Sequence, residues 1–144
     1  MLALTATATS DTLEDISRSL RVREPEIVST GIDRDNIHLS VERYENESGK
    51  QARIADLLRS IEGQSICYVA TTRAAEELSE ALKRLGVDAV CYHGKMRMAE
   101  RTASQTAFMA NQARVMVATS AFGLGIDKPD IRQVIHYHLP PAAR

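Results

Sequence analysis

This 144-residue sequence predicts, from about residue 30 onward, an α/β layered domain with a mostly parallel sheet flanked by helices. Three observations predict it. Short apolar-rich runs of strand length recur at 66–69, 88–92, 114–118 and 131–138. Helix-length segments at 72–85 and 97–110 separate the first three, and strands alternating with helices imply right-handed βαβ units. The length supports one domain with a real core and is too short for two ordinary ones.

Taken in order, residues 1–9 open with a short apolar run that ends in alternating Thr and Ala. A helix follows, because Ser10 or Asp11 can cap it and Leu13, Ile16 and Leu20 share a helical face. Pro25 ends that element. Residues 26–46 read as two short strands, around 27–29 and 37–41, with Gly31, Asp33, Asp35 and Asn36 turning between them. Ser48 and Gln51 make a capping-box pattern. Ile54, Leu57, Leu58 and Ile61 then fall at i, i+3, i+4 and i+7 of an amphipathic helix that Gly63 can close.

The strand at 66–69 leads into a helix with Ala75, Leu78, Leu82 and Leu85 on its inner face. Glu76 and Glu77 lie near its start and Lys83 and Arg84 near its end, which suits the macrodipole. Gly86 stands at C′. A strand at 88–92, a helix of weaker periodicity at 97–110, and strands at 114–118 and 131–138 complete the chain.

Composition excludes some functions and leaves others open. At 44% hydrophobic and 26% charged the chain has an average globular make-up. Its formal charge of −1 supplies no global basic field, so any nucleic-acid contact must come from locally placed Arg, Lys and backbone N–H groups. No apolar run reaches membrane-spanning length and no signal-peptide pattern opens the chain, so no membrane partner is expected. A cytoplasmic, nucleoid-associated setting is the expectation. Cys67 and Cys91 sit inside apolar runs and are expected to be buried free thiols. Neither Cys nor His shows metal-site spacing, so no metal site is expected.

The stretch most able to carry chemistry is 114–139, where a buried strand leads through a small-residue loop into a second apolar strand. The loop holds Thr119, Gly123, Gly125, Asp127 and Lys128. Loops leaving the carboxyl end of parallel strands are where open α/β sheets bind ligands. The plainer reading gives Gly123 and Gly125 a role in loop geometry only. Gly49-Lys50 is no phosphate loop, because Tyr44 replaces the first Gly and Gln51 the Ser or Thr. Gly123-x-Gly125 is no dinucleotide fingerprint, because Lys128 replaces the third Gly. Thr71-Thr72-Arg73 opens a helix at a strand end, where free N–H groups suit a phosphate; Thr72 also serves there simply as a cap. His93 follows a strand, a position that a surface or capping histidine equally fills.

Residues 117–140, VATSAFGLGIDKPDIRQVIHYHLP, resemble motif V of the RecQ family of superfamily 2 DNA helicases. Residues 65–82, SICYVATTRAAEELSEAL, resemble that family's motif IV, and Tyr92-His93-Gly94-Lys95-Met96 its YHAGL-like element. Arg101, Gln105 and Phe108 keep its Arg-x-x-x-Gln-x-x-Phe spacing. Leu4-Thr5-Ala6-Thr7-Ala8 resembles motif III, and 31–41 the linker and first strand of the second RecA-like domain, with Asp35 in place of a Pro.

The resemblance implies a RecA-like three-layer fold. It implies that 1–30 is the end of a first RecA-like domain with its linker and 31–144 a second RecA-like domain. Thr5 and Thr7 would couple the two domains. DNA-backbone contacts would come from Thr71, Thr72, Arg73, His93, Gly94, Thr119, Gly123 and Lys128. Asp127 and Gly125 would face a nucleotide held by the first domain. ATP and Mg would be bound by the larger helicase and not stably by this chain alone. Single-stranded or partly duplex DNA and the first RecA-like domain are the implied partners. Without that domain, Leu2, Leu4, Leu13 and Ile16 are orphan apolar positions.

The family's acidic motif, its phosphate loop and its arginine-bearing GRAGRDG segment do not occur here. The chain is therefore expected to be a piece of a larger helicase and not to hydrolyse ATP by itself. Two other readings stay open: a domain of another superfamily 2 translocase or RNA helicase, and a non-enzymatic nucleic-acid-binding module on the same fold.

Overall fold

The computed structural model describes residues 3–5, 8–21, 25–28, 35–123 and 126–138. The chain divides into two units, Met1–Val41 and Glu42–Arg144.

The first unit contains helix α1 (Ser10–Leu20). Thr9 is its cap, with Oγ1 accepting from the N–H of Thr12 at 3.3 Å, so Ser10 is the first helical residue and neither it nor Asp11 caps. The helix stops at Arg21, whose left-handed φ of 49° lets its N–H return to the carbonyls of Ser17 and Arg18 before Pro25 is reached. No residue of α1 is buried, and Leu4 is 85% exposed. Leu2 and Thr7 lie outside the described residues.

Among the described residues the strands expected around 27–29 and 37–41 are not formed. Ile27, Val28, Ile37, Leu39 and Val41 are exposed and irregular, and Ser29 is outside the described residues. Alternation marks a strand face, but a strand exists only where its N–H and C=O groups find a ladder.

The second unit begins with helix α2 (Glu47–Ser60). Asn46 caps it in place of Ser48, its Oδ1 accepting from the N–H of Gly49 at 2.8 Å. The shorter Ser48 hydroxyl instead donates to the same Oδ1. Ile61, in extended conformation, ends α2, so Gly63 does not close the helix. Gly63 is needed one step later: at φ 109° it turns the chain into the sheet where an added Cβ would lie 2.7 Å from Arg132 Cγ.

The sheet comprises β1 (Gln64–Tyr68), β2 (Ala89–Tyr92), β3 (Val115–Ala118) and β4 (Ile131–His136) in the order β2-β3-β1-β4. Every pairing is parallel, with Cys67 level with Val117 and Ile135, and Cys91 level with Val117. Helix α3 (Thr72–Arg84) joins β1 to β2 and helix α4 (Met98–Met109) joins β2 to β3. The first crossover steps outward across the sheet and the second steps back. Right-handed crossovers in opposite directions put their helices on opposite faces.

The side chains follow. Cys67, Val69, Val115, Val117 and Tyr137 pack with Ile54, Leu58, Ala75, Leu78 and Leu82 under α2 and α3. Ile66, Met116 and Ala118 pack with Phe108 of α4 and with Phe122 on the other face. Strand residues alternate between two apolar layers, which is why the runs read as continuously apolar.

Gly86 takes the expected C′ role at φ 77°, its N–H bonding Lys83 O at 2.9 Å while Val87 N–H bonds Leu82 O. Both cysteines are free: burial pushes the Cys67 thiol up to about 12 and the half-buried Cys91 thiol to about 11. Among the described residues, no helix is long and apolar enough to cross a membrane, and no three His, Cys, Asp or Glu side chains gather into a metal-holding group.

Candidate nucleic-acid interface

Because the four strands run one way, the loops leaving β1, β2 and β3 emerge at one carboxyl edge together with the N-terminus of α3. The first loop is firmly set. Val69 N–H extends the ladder to Ala118 O at 2.9 Å, and Ala70 N–H donates to Nδ1 of His138 at 3.2 Å. Thr71, not Thr72, then caps α3: its Oγ1 accepts from Ala74 N–H at 3.1 Å and its carbonyl from Ala75 N–H. That leaves Thr72 and Arg73 as first-turn residues whose N–H groups the helix ladder does not use. An anion at such a helix start gains roughly 0.3–1 kcal/mol. Arg73 is 85% exposed, and its one ion pair among the described residues is the exposed i,i+4 contact to Glu77 at 2.7 Å. A pair of that kind is worth about 0–1 kcal/mol, so a phosphate can displace it.

The loop after β2 departs from the sequence expectation. His93 is 3% exposed, with Nε2 3.0 Å from Glu76 Oε1 on α3. Its Nδ1 is buried with no partner among the described residues. The imidazole is therefore an inward tie between loop and helix. Like Lys95 and Arg97, Gly94 is exposed in this loop. A Cβ there would meet nothing within 4 Å and its φ is not positive, so no internal contact requires glycine.

In the loop after β3, Thr119 N–H donates to Tyr92 O at 3.2 Å, and Phe122 N–H donates back to Thr119 O at 3.1 Å. The Phe122 ring is anchored edge-on against Tyr92 and Phe108, which leaves Ser120 and Ala121 exposed at the tip. Gly123 has a φ of 126° and passes so close to Tyr68 that a Cβ would lie 2.5 Å from Oη. The hydroxyl of Tyr68 donates to Phe122 O at 3.1 Å. Gly125 is outside the described residues, and Asp127 is exposed.

Lys128 does not reach the carboxyl edge where its motif predicts it. The chain has by then descended to the opposite edge, where Asp130 O accepts from the N–H of Gln64 at the start of β1. The Lys128 side chain is 7% exposed, with Nζ 2.8 Å from Asp130 Oδ1, 2.8 Å from Asn111 Oδ1 and 3.5 Å from Met109 O. It closes the C-terminus of α4, a place that favours a cation, and is bonded there in place of standing free in solvent.

Sequence reasoning also missed Tyr68, Glu76, His138 and Asn111, each of which holds a site loop or its return from another element. Their partners are 17 to 68 residues away along the chain, so no local pattern could have marked them.

A three-layer parallel fold presenting backbone-rich loops at one edge is that of a RecA-like domain. The chain belongs to the helicase conserved C-terminal domain family, whose model matches residues 49–143. Residues 65–82 and 117–140 resemble motifs IV and V of the RecQ helicases. It is 40% identical over 144 residues to the probable ATP-dependent DNA helicase RecS of Bacillus subtilis (strain 168), covering 99% of this chain and 29% of that protein. It is 39% identical over 141 residues to the ATP-dependent DNA helicase RecQ of the same organism, covering 97% of this chain and 23% of that protein. The chain thus spans less than a third of either relative. Among solved structures, Dbp5 of S. cerevisiae bound to RNA and ADP BeF3 superposes with a TM-score of 0.77 at 26% identity, over 96% of this chain and 36% of that one.

Proposed function

We propose that this chain is the nucleic-acid-tracking half of an ATP-driven DNA helicase of the RecQ type. Its carboxyl edge would grip the backbone of a single strand, or of a strand at a duplex junction. The observation that carries the reading is the set of three loops emerging at one edge, with helix N–H groups and Arg73 at the first, Gly94 at the second and Ser120–Gly123 at the third. Backbone donors hold phosphates without reading bases and without a net basic charge, which suits a motor that must step along any sequence.

The nucleotide would lie between this domain and a first RecA-like domain. Asp127, exposed on the chain that descends from β3, is suited to accept from a ribose hydroxyl, and Thr5 is the described candidate for coupling the two domains. The described residues fit half a nucleotide site and no more. Their donors lie along an open edge, and among the described residues no three His, Cys, Asp or Glu side chains gather to hold a metal ion. ATP with Mg²⁺ would drive opening and closing of the two halves, and this chain alone would not turn it over. A cytoplasmic, nucleoid-associated location goes with that work.

A second reading, RNA as the substrate, is favoured by the superposition on the RNA-bound Dbp5. The DNA reading is preferred because the 39–40% identical relatives bear the names of DNA helicases. Fluorescence anisotropy with labelled oligo-dT and oligo-rU across a salt series tests both. Weak binding to oligo-dT, with log K falling about 0.7 for each unit of log salt per phosphate neutralised, supports the reading. Tighter binding to oligo-rU would move the assignment to RNA, and a salt-independent response would leave a scaffold.

A further inference from the structure

The functional reading needs the loop after β3 to keep its N–H groups turned outward, yet that loop is built from small residues and crosses a positive-φ glycine. Two separate observations converge on one side chain from the neighbouring strand. Tyr68, the last residue of β1, donates its hydroxyl to Phe122 O at 3.1 Å. The same oxygen occupies the space that a side chain at 123 would need, 2.5 Å from its Cβ. The ring itself is fixed, stacked 5.6 Å from His136 at an interplanar angle of 20°, while the Tyr68 backbone is paired to Ala118 on one side and His136 on the other. The phenol therefore has little freedom to follow the loop; the loop must conform to it. Burial raises the Tyr68 pKa, which keeps the hydroxyl a donor throughout the working pH range.

We propose that Tyr68 is a positioning residue for nucleic-acid binding: from β1 it fixes the Phe122–Gly123 turn and so aims the backbone N–H groups of the loop after β3 at a phosphate. This rests on the reading above that the carboxyl edge binds a nucleic-acid backbone. It gives Gly123 a second reason beside its positive φ: the hydroxyl of Tyr68 leaves no room for a Cβ at 123. It also links the loops after β1 and β3, because any shift of the Tyr68 end of β1 moves both.

The test is a four-member cycle of wild type, Y68F, G123A and Y68F/G123A. Each is followed by thermal unfolding and by backbone amide shifts during titration with oligo-dT. Y68F retains the ring and its stack on His136, and is expected to fold as wild type. It should bind oligo-dT about five-fold more weakly, because the released loop must be re-ordered on binding at a cost on the order of the lost hydrogen bond. G123A should be impaired in both folding and binding, through its positive φ and its clash with Oη. The double variant should recover part of both losses relative to G123A, because the clashing oxygen is gone.

Undiminished binding by Y68F beside a wild type that binds would overturn this proposal and leave the functional reading standing. A double variant no better than the sum of the single changes would also overturn it. Failure of the wild type itself to bind would overturn the functional reading and this proposal with it. If G123A does not fold, the Y68F comparison still decides.

Discussion

Helices α1 and α3 carry apolar residues at the same helical spacing, yet α1 buries none of its residues while α3 buries Ala75, Leu78, Ser79, Ala81 and Leu82. Both have a threonine cap, Thr9 and Thr71, with the same hydrogen bond to the third residue beyond. Local sequence is thus sufficient to start and orient a helix, but only a facing surface turns an apolar stripe into stability. In α3 that surface is the sheet, and its burial leaves the carboxyl edge polar and open. In α1 the stripe of Leu13, Ile16 and Leu20 finds no such cover among the described residues.

The comparison can be broken most severely by truncation. Leu82→Ala should cost about 2–5 kcal/mol in urea unfolding, as for any fully buried leucine. Leu13→Ala should cost about 0.5 kcal/mol or less. Equal losses would mean that α1 is packed as α3 is. Next in size is Gln64→Leu. Gln64 Nε2 donates to the carbonyls of Phe108 and Ala113, at 2.7 and 2.6 Å, and so ties β1 to the end of α4. Leaving those buried carbonyls unpaired should cost about 1–3 kcal/mol.

The caps sharpen the same contrast at smaller scale. Thr71→Ala should lower global stability by about 1 kcal/mol. Thr9→Ala should reduce helical signal locally, as read by amide exchange, with no shift of the main unfolding transition.

How far the sequence could be read follows the same division. The parallel sheet, α2, α3, α4 and the C′ role of Gly86 were legible because each depends on a period or a single residue's backbone preference. The strands expected at 27–29 and 37–41 were misread, since Ile37, Leu39 and Val41 alternate correctly but have no ladder. Motif resemblance placed Thr71, Arg73, Gly94, Thr119 and Gly123 at one edge. It misplaced the side chains of His93 and Lys128, because their direction is set by Glu76 and by Asn111 with Asp130, residues brought near only by the fold. The nearby cationic residue in a binding motif is not always the one that meets the ligand. Lys128→Met should therefore lower the unfolding midpoint and leave oligonucleotide affinity unchanged.

The smallest expected effect is a pH dependence at the start of the second unit. Arg53 beside Glu42, at 2.9 and 3.0 Å, with the Tyr44 hydroxyl as a second donor, holds the Glu42 carboxyl down at about 2 from an ordinary 4.5. A carboxylate with a lowered folded pKa contributes stability that is present above pH 4.5 and lost as pH falls toward 2. Glu42→Gln should make the acid limb of unfolding shallower over that window and leave neutral-pH stability little changed, since both partners are exposed.

The central claim is that the carboxyl edge of the sheet, built from three loops, is what meets the nucleic-acid backbone. Residue-resolved amide shifts of the wild-type chain on titration with oligo-dT test it most directly. Salt-sensitive shifts are expected at Thr72, Arg73, Gly94 and Ser120 to Gly123, with Gln64, Ala113 and Lys128 at the opposite edge unmoved. Shifts centred on Lys128 and Gln64, or on the exposed face of α1, would contradict it.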